Sequence, residues 1–360
     1  MLADAAITVI NPSAFSPESA SYVPMMIELS KGRGKSPPHL YLVDDSNEGH
    51  PSRRYTKRIE DLAGQLGVDL FRIILLNQNE NFRLFSAPSE NGLVANSAVF
   101  NRQFERATEV ANSLSDSEVV GSEDRDHYRY RFLSLNNKPR PHRIALTSLM
   151  KEAGLLEQTA LSFHFARPNA QKNKDYFVDR AISMFPHYAD EIRKFISETY
   201  FPVVLESKEE RRNFWGLPSV SSRCLWFIVT ESNFSIDTPQ RPVRRVTEKT
   251  LKALVYGRPF LVLGEAQTLG YLHELGFRTY GCVIDESYDL VINPHRRMEA
   301  FMETVRQIAC NPTTRGELKT MRKIAQHNRD WLVGGFKEHF SLREAKHLEG
   351  ALVRAGLSGH

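Results

Sequence analysis

The sequence predicts an α/β protein of two Rossmann-like domains facing each other across a cleft. Short apolar runs alternate with amphipathic helical stretches in both halves of the chain, which is the pattern of βαβ units and parallel sheets. The chain has 360 residues, more than one hydrophobic core usually serves. A polar, charge-rich stretch at 115–130, "SDSEVVGSEDRDHYRY", separates the two series. The expected division is an N-terminal domain over 1–125, a second domain over 126–330 and a helical tail over 331–360.

The elements follow in order. "AITVINP", ending at Pro12, is an apolar run closed by a turn. "HLYLVDD" (39–45) and "LFRIILL" (70–76) are the next strands. Between them Ile59, Leu62, Ala63 and Leu66 have helical spacing, with Gly67 as a stop. Residues 100–114 read as a helix. After the polar stretch, "YRFLSL" (130–135) is a strand, "NNKPRPH" a loop and "RIALTSLMKEAG" a helix with a glycine stop. "TALSFH" (159–164) is a strand, and 175–210 is mostly helical with breaks near Pro186 and Pro202. "CLWFIVTES" (224–232) is an apolar strand emptying into polar residues. "VTEKTLKALVYGRPFLVLG" (246–264) gives a helix, a glycine stop and a buried strand. "AQTLGYLHELG" is a helix, "CVIDESYD" (282–289) a strand and turn, and 296–309, 314–333 and 340–355 are helices.

Composition narrows the function classes. Hydrophobic residues make up 41% and charged residues 25%, which fits a soluble globular chain. A net charge of +4 and a pI of about 8.8 suit an anionic ligand but are too weak to name nucleic acid. Cys224, Cys282 and Cys310 are far apart and form no zinc or disulfide spacing, so reduced thiols and a cytoplasmic setting are expected. The N-terminus lacks the signature of a signal peptide, and no run approaches the roughly 18 apolar residues of a membrane span.

In open α/β sheets the loop after a strand is the usual ligand position. Three such loops in the second half carry reactive groups. After "YRFLSL" come Asn136, Asn137, Lys138, Arg140, His142 and Arg143, ahead of a helix. Arginine suits bidentate phosphate contact and helix N-termini favour anions, though a solvated basic turn has the same composition. Glu231 stands where an apolar strand ends; it can bind sugar hydroxyls, act in acid–base chemistry or simply face water. In the third loop Thr247 can cap a helix, Lys249 suits phosphate oxygens and Glu248 can accept from a vicinal diol, although an acid in a first helical turn is common. Neighbours on a helix do not face each other, so Glu248 and Lys249 are read as serving two parts of one ligand.

These segments resemble a known family. "FIVTESN" followed by "VTEKTLKALVYGRPFLVLG" looks like the α1,3-fucosyltransferase motif, a Phe-x-x-Glu-Asn-Ser strand end followed by a Thr-Glu-Lys helix start, a Pro and a strand ending in Gly. "RFLSLNNKPRPHRIALTSL" resembles the opening of the donor domain there, and related sequences occur in bacteria and their viruses. The resemblance covers roughly 128–287. It implies a GT-B glycosyltransferase that takes a nucleotide-diphosphate sugar and inverts the anomeric centre without a required metal or other cofactor. Carried over, Glu248 holds the ribose, Lys249 the diphosphate, Arg143 or Arg140 a second phosphate oxygen, and Glu231 lines the sugar pocket; Asn136, Thr247 and Arg245 complete the expected donor set. Two departures stand out. Arg245 occupies the place where the family often has Tyr, and the order here is Glu231-Ser232-Asn233. Fucose on GDP therefore does not follow. The insertion at 236–245 reads as a lid carrying extra positive charge.

An inverting transfer needs a general base, expected from the N-terminal domain. Asp44, Asp45, Glu48 and His50 follow a strand there, and Asp45 is the candidate, against an ordinary acidic turn. Asp124 and Asp126 form an Asp-x-Asp in a polar loop and are read as accidental, so no metal site is expected. Phe15 and Tyr22 can stack on a ring or pack in a core. The expected acceptor is a surface glycan. The alternatives are a hydroxylated base in viral DNA, a non-catalytic nucleotide-sugar-binding module, and a glycoside hydrolase using Glu231 and Asp45.

Overall fold

The computed structural model describes residues 7–10, 40–45, 64, 73–77, 96–99, 102–114, 127–136, 138–164, 170–199, 201, 203–205, 207, 210, 213–234 and 244–354. The chain forms two compact units, one of Met1–Glu105, Val243–Arg245 and Lys337–His360, the other of Arg106–Pro242 and Val246–Phe336. The expected α/β fold with parallel sheets is present in each.

Among the described residues of the first unit, four parallel strands lie side by side in chain order: β1 (Ile7–Ile10), β2 (Leu40–Asp45), β3 (Ile73–Asn77) and β4 (Asn96–Val99). The first three were legible as apolar runs. β4, "NSAV", has too little apolar character to read that way. Of the helix expected between β2 and β3 only Gly64 is described, and it is helical. Helix α1 (Arg102–Ser113) begins at this unit's edge, and its Phe104 packs edge-on against Phe340, with ring centroids 4.4 Å apart. Phe15, Tyr22, Glu48, His50, Asn137, Asp124 and Asp126 lie outside the described residues.

The second unit holds β5 (Tyr130–Asn136), β6 (Thr159–Phe163), β7 (Cys224–Thr230) and β8 (Phe260–Leu263), all parallel, in the order β6-β5-β7-β8. Every residue of β6, β7 and β8 is buried, as expected of a parallel sheet covered on both faces. Helices α2 (Pro141–Glu152), α3 (Ala170–Met184), α4 (Ala189–Glu198), α5 (Glu248–Val255), α6 (Thr268–Glu274), α7 (Pro294–Cys310) and α8 (Arg315–Gly334) surround it. A last helix, α9 (Phe336–Arg354), follows α8. A short 3-10 turn, Pro186–Tyr188, divides α3 from α4 at the proline that marked a break. α2 starts two residues earlier than its apolar periodicity suggested, because Pro141 occupies the first helical position, where its missing N–H costs nothing.

One expected strand is absent. Among the described residues, 282–289 form turns and a 3-10 segment, Ser287–Leu290. The acids of this stretch hold local donors instead of a ladder. Glu286 accepts from the Thr279 hydroxyl (2.6 Å) and the Tyr280 N–H (2.7 Å), and Asp285 accepts from the Ser287 N–H (2.9 Å). Asp289 accepts from the Leu269 N–H (3.0 Å), fixing the start of α6.

Chain order in this sheet places the site. From β5 the chain passes to β6 on one side, then returns to β7 on the other. A parallel sheet opens a crevice beyond the carboxyl ends of strands at such a reversal. Here it lies between the ends of β5 and β7, and the Thr230 hydroxyl bridges them by donating to Asn136 Oδ1 at 2.7 Å.

Candidate functional site

Glu231 directly follows β7 and is 3% exposed. Its carboxylate accepts from the Thr247 N–H (2.9 Å), the Thr247 hydroxyl (2.6 Å), the Thr250 hydroxyl (2.5 Å) and the Ser232 N–H (3.0 Å). Both threonines belong to the start of α5, so this carboxylate ties the end of β7 to that helix N-terminus. Gly264, just after β8, lets it in: a Cβ there would stand 3.1 Å from the Glu231 Cβ and 3.2 Å from the Thr268 hydroxyl oxygen. Thr247 has the extended backbone of an N-cap, and its side chain accepts weakly from the Lys249 N–H at 3.5 Å.

The cations gather around the same point. Arg143, on the first turn of α2, is 1% exposed. It donates to the carbonyls of Lys138 (3.1 Å), Thr230 (2.9 Å) and Glu231 (3.3 Å), and its buried Nε has no hydrogen-bond partner. Burial pushes its pKa down to about 9, with Arg140 adding repulsion while Glu231 and Glu248 oppose the fall. His142 is bonded through Nε2 to the Glu231 carbonyl at 2.9 Å. Burial, then the neighbouring Arg143, hold its pKa well below the ordinary value, so the ring is neutral at pH 7.

Glu248 and Lys249 form an ion pair, which corrects the expectation that adjacent helical residues do not meet. That rule concerns side chains leaving a helix interior. At the open first turn the long Lys249 chain folds back, and its Nζ also donates to Ser232 Oγ (3.2 Å) and Thr247 Oγ1 (3.4 Å). Burial lowers the Lys249 pKa, and Glu248 acts against that. For Glu248 burial opposes ionisation, but Lys249 prevails and holds its pKa below the usual range.

The structure thus brings Glu231, Thr247, Glu248, Lys249 and Arg143 together at the carboxyl ends of the strands. Asn136 is fully buried; it accepts from Thr230 and donates to Ser134 Oγ (3.0 Å), so it ties the end of β5 to β7. Arg140 is half-buried and starts α2, its carbonyl accepting from the N–H groups of Arg143 (2.9 Å) and Ile144 (3.1 Å). Arg245 falls in the first unit, outside this cluster's unit. Asp45 is the last residue of β2, in register with Asn77; its side chain lies outside the described residues. Two cavities of about 450 and 420 Å3, beside Trp226 and Leu225, open near the starts of the strands, at the other end from this cluster.

No family model and no curated protein matches the chain. Among solved structures, a UDP-forming alpha,alpha-trehalose-phosphate synthase from Burkholderia xenovorans is similar at 13% identity, with a TM-score of 0.44, covering 95% of this chain and 74% of that one. The site is therefore read from its own residues. Among those described, no group of three or more His, Cys, Asp or Glu side chains could hold a metal ion, and no helix is long and apolar enough to cross a membrane.

Sequence reasoning missed two members of the site. Phe234 stacks on His142, with centroids 5.2 Å apart and planes 17° apart. On its own ring the guanidinium carbon of Arg297 lies 4.7 Å from the centroid. A signal for Arg297 existed: it shares a helical face with Phe301, Thr304 and Ile308, all buried, and a charge on such a stripe calls for explanation.

Proposed function

We propose that the second unit binds a nucleotide-diphosphate sugar and that the protein is a GT-B-type glycosyltransferase. The observation that carries this reading is the meeting of two helix N-termini, α2 and α5, at the reversal between β5 and β7, with Arg143 and Lys249 beside them. Helix N-termini and paired cations suit a diphosphate. Lys249 is the mobile member: it can leave Glu248 for phosphate oxygens, and the freed Glu248 carboxylate then accepts from ribose hydroxyls. Arg143 is pinned to three carbonyls and supplies fixed positive potential. In the transfer step such charges stabilise the leaving diphosphate, and the acceptor hydroxyl attacks the anomeric carbon as its proton passes to a base. The motif resemblance supports the same assignment, with inversion, independence of metal and a surface glycan acceptor as its further implications.

A thermal-shift screen with UDP, GDP, CDP, ADP and dTDP tests the binding step, since a ligand that binds only the folded chain raises its melting temperature. One of them should stabilise the protein, and Lys249→Ala should weaken it by about 1.5–3 kcal/mol, the scale of a hydrogen bond to a charged group. Stabilisation by none, or equal affinity in wild type and variant, sinks the reading. Binding without transfer or hydrolysis across a sugar-nucleotide panel points to a non-catalytic module. Salt-sensitive duplex binding points to a DNA acceptor.

A further inference from the structure

Arg297 is the most deeply buried cation that the donor-site assignment leaves without a task. It is 2% exposed. Its Nε donates to the Gly264 carbonyl (3.1 Å), and its Nη1 donates to the carbonyls of Val291 (2.7 Å) and Ile292 (2.9 Å). Its guanidinium carbon lies over the ring of Phe234, 4.7 Å from the centroid, and that ring also stacks on His142. Four segments thus converge on one guanidinium: the loops after β7 and β8, the turn before α7, and, through Phe234, the start of α2. Its Nη2 has no hydrogen-bond partner among the described residues, and unlike the Nε of Arg143 it is not sealed off as a fully buried atom. Among the described residues no carboxylate forms an ion pair with it; Glu265 and Asp289 attract it only at longer range.

Taking a guanidinium out of water is costly unless its N–H groups are satisfied. Three carbonyl bonds and a ring face hold this one rigidly at the carboxyl edge of the sheet, with one amino group left to give. Glu265 near it already supplies negative charge, which makes a full anion a poor partner. A hydroxyl suits the spot better, because it accepts from the guanidinium and can donate to a neighbouring carboxylate.

We propose that Arg297 Nη2 binds hydroxyl oxygens of the sugar of a nucleotide-sugar ligand whose diphosphate sits at Arg143 and Lys249. This rests on the nucleotide-sugar reading above, and the test separates the two. Calorimetry on the full chain compares UDP with UDP-glucose and GDP with GDP-mannose, for wild type, Arg297→Met and Arg297→Lys. Arg297→Met should lose about tenfold or more in affinity for the sugar nucleotide, the scale of a charge-assisted hydrogen bond, and less than about twofold for the bare diphosphate. Arg297→Lys should fall between wild type and Arg297→Met. Equal losses for both ligands, or no loss, overturn the proposal, because a residue that only braces loops moves both alike. If none of UDP, GDP, CDP, ADP and dTDP binds wild type, the nucleotide reading fails and takes this one with it; if the binder is not UDP or GDP, the same comparison uses that diphosphate and its sugar conjugate. Melting temperatures without ligand show that the variants fold; if Arg297→Met does not, the lysine variant carries the same comparison.

Discussion

Glu231 accepts four hydrogen bonds with a single buried carboxylate, and this changes what it can do. A general base needs a lone pair facing the acceptor hydroxyl; these oxygens face the start of α5. The side chain is better placed to position the helix N-terminus. Glu231→Gln keeps the size but replaces acceptors with an NH2 group aimed at donors. It should lower stability by about 1–3 kcal/mol, read from the urea midpoint, since buried donors lose their partners. Nucleotide affinity should fall with it. Thr250→Val deletes one of the four bonds and leaves Lys249 in place. It should cost about 1 kcal/mol and leave nucleotide affinity close to wild type. A variant at Glu231 that keeps full stability and binding but loses only turnover would restore it as a reacting group.

At the scale of elements, the site depends on how closely two strand ends approach. Gly264→Ala puts a Cβ 3.1 Å from the Glu231 Cβ, against the loop that carries this carboxylate. One of the two must shift, so stability should fall by about 1–3 kcal/mol and nucleotide affinity with it. Gly270→Ala has nothing closer than 3.9 Å and is the matched control in the neighbouring helix. The strands and helix stops here were readable because each carries its signal locally. Gly154, Gly257 and Gly276 all adopt positive φ, as helix-ending glycines do. β4 and the turn at 282–289 were not readable, since a four-residue mixed strand has no period and acids that satisfy backbone donors look like any acidic strand end. The Glu248–Lys249 pair was misread for a related reason. Spacing rules describe the body of a helix, while this pair lies at its open end, where tertiary partners decide the rotamers. Glu231 was found as a site residue, but its role depends on Thr247 and Thr250, which only the fold brings to it.

At the scale of the whole molecule, buried titratable groups give the second unit a definite dependence on pH. Burial raises the Asp289 pKa from 3.8 to about 7, with the N–H groups at the start of α6 acting against it. Burial likewise raises Glu286, and it lowers His142. Between about pH 4 and 7 the folded chain keeps a proton on Asp289 that the unfolded chain has released. Stability from this group is therefore complete below the unfolded pKa and is lost as pH rises to about 7. His142 works in the opposite sense: below about 6.5 the unfolded chain takes up a proton that the buried ring refuses, so its contribution is lost as pH falls. Asp289→Asn isolates the first trend. The amide oxygen still accepts from the Leu269 N–H, but nothing titrates. Relative to the variant, wild type should lose about 2–3 kcal/mol between pH 5 and pH 8, at roughly 1.4 kcal/mol for each pH unit below the folded pKa. Calorimetric melting of both proteins across that range reads it out. Parallel pH profiles would mean that Asp289 is ionised throughout and that the α6 N–H groups, together with Arg297, outweigh burial.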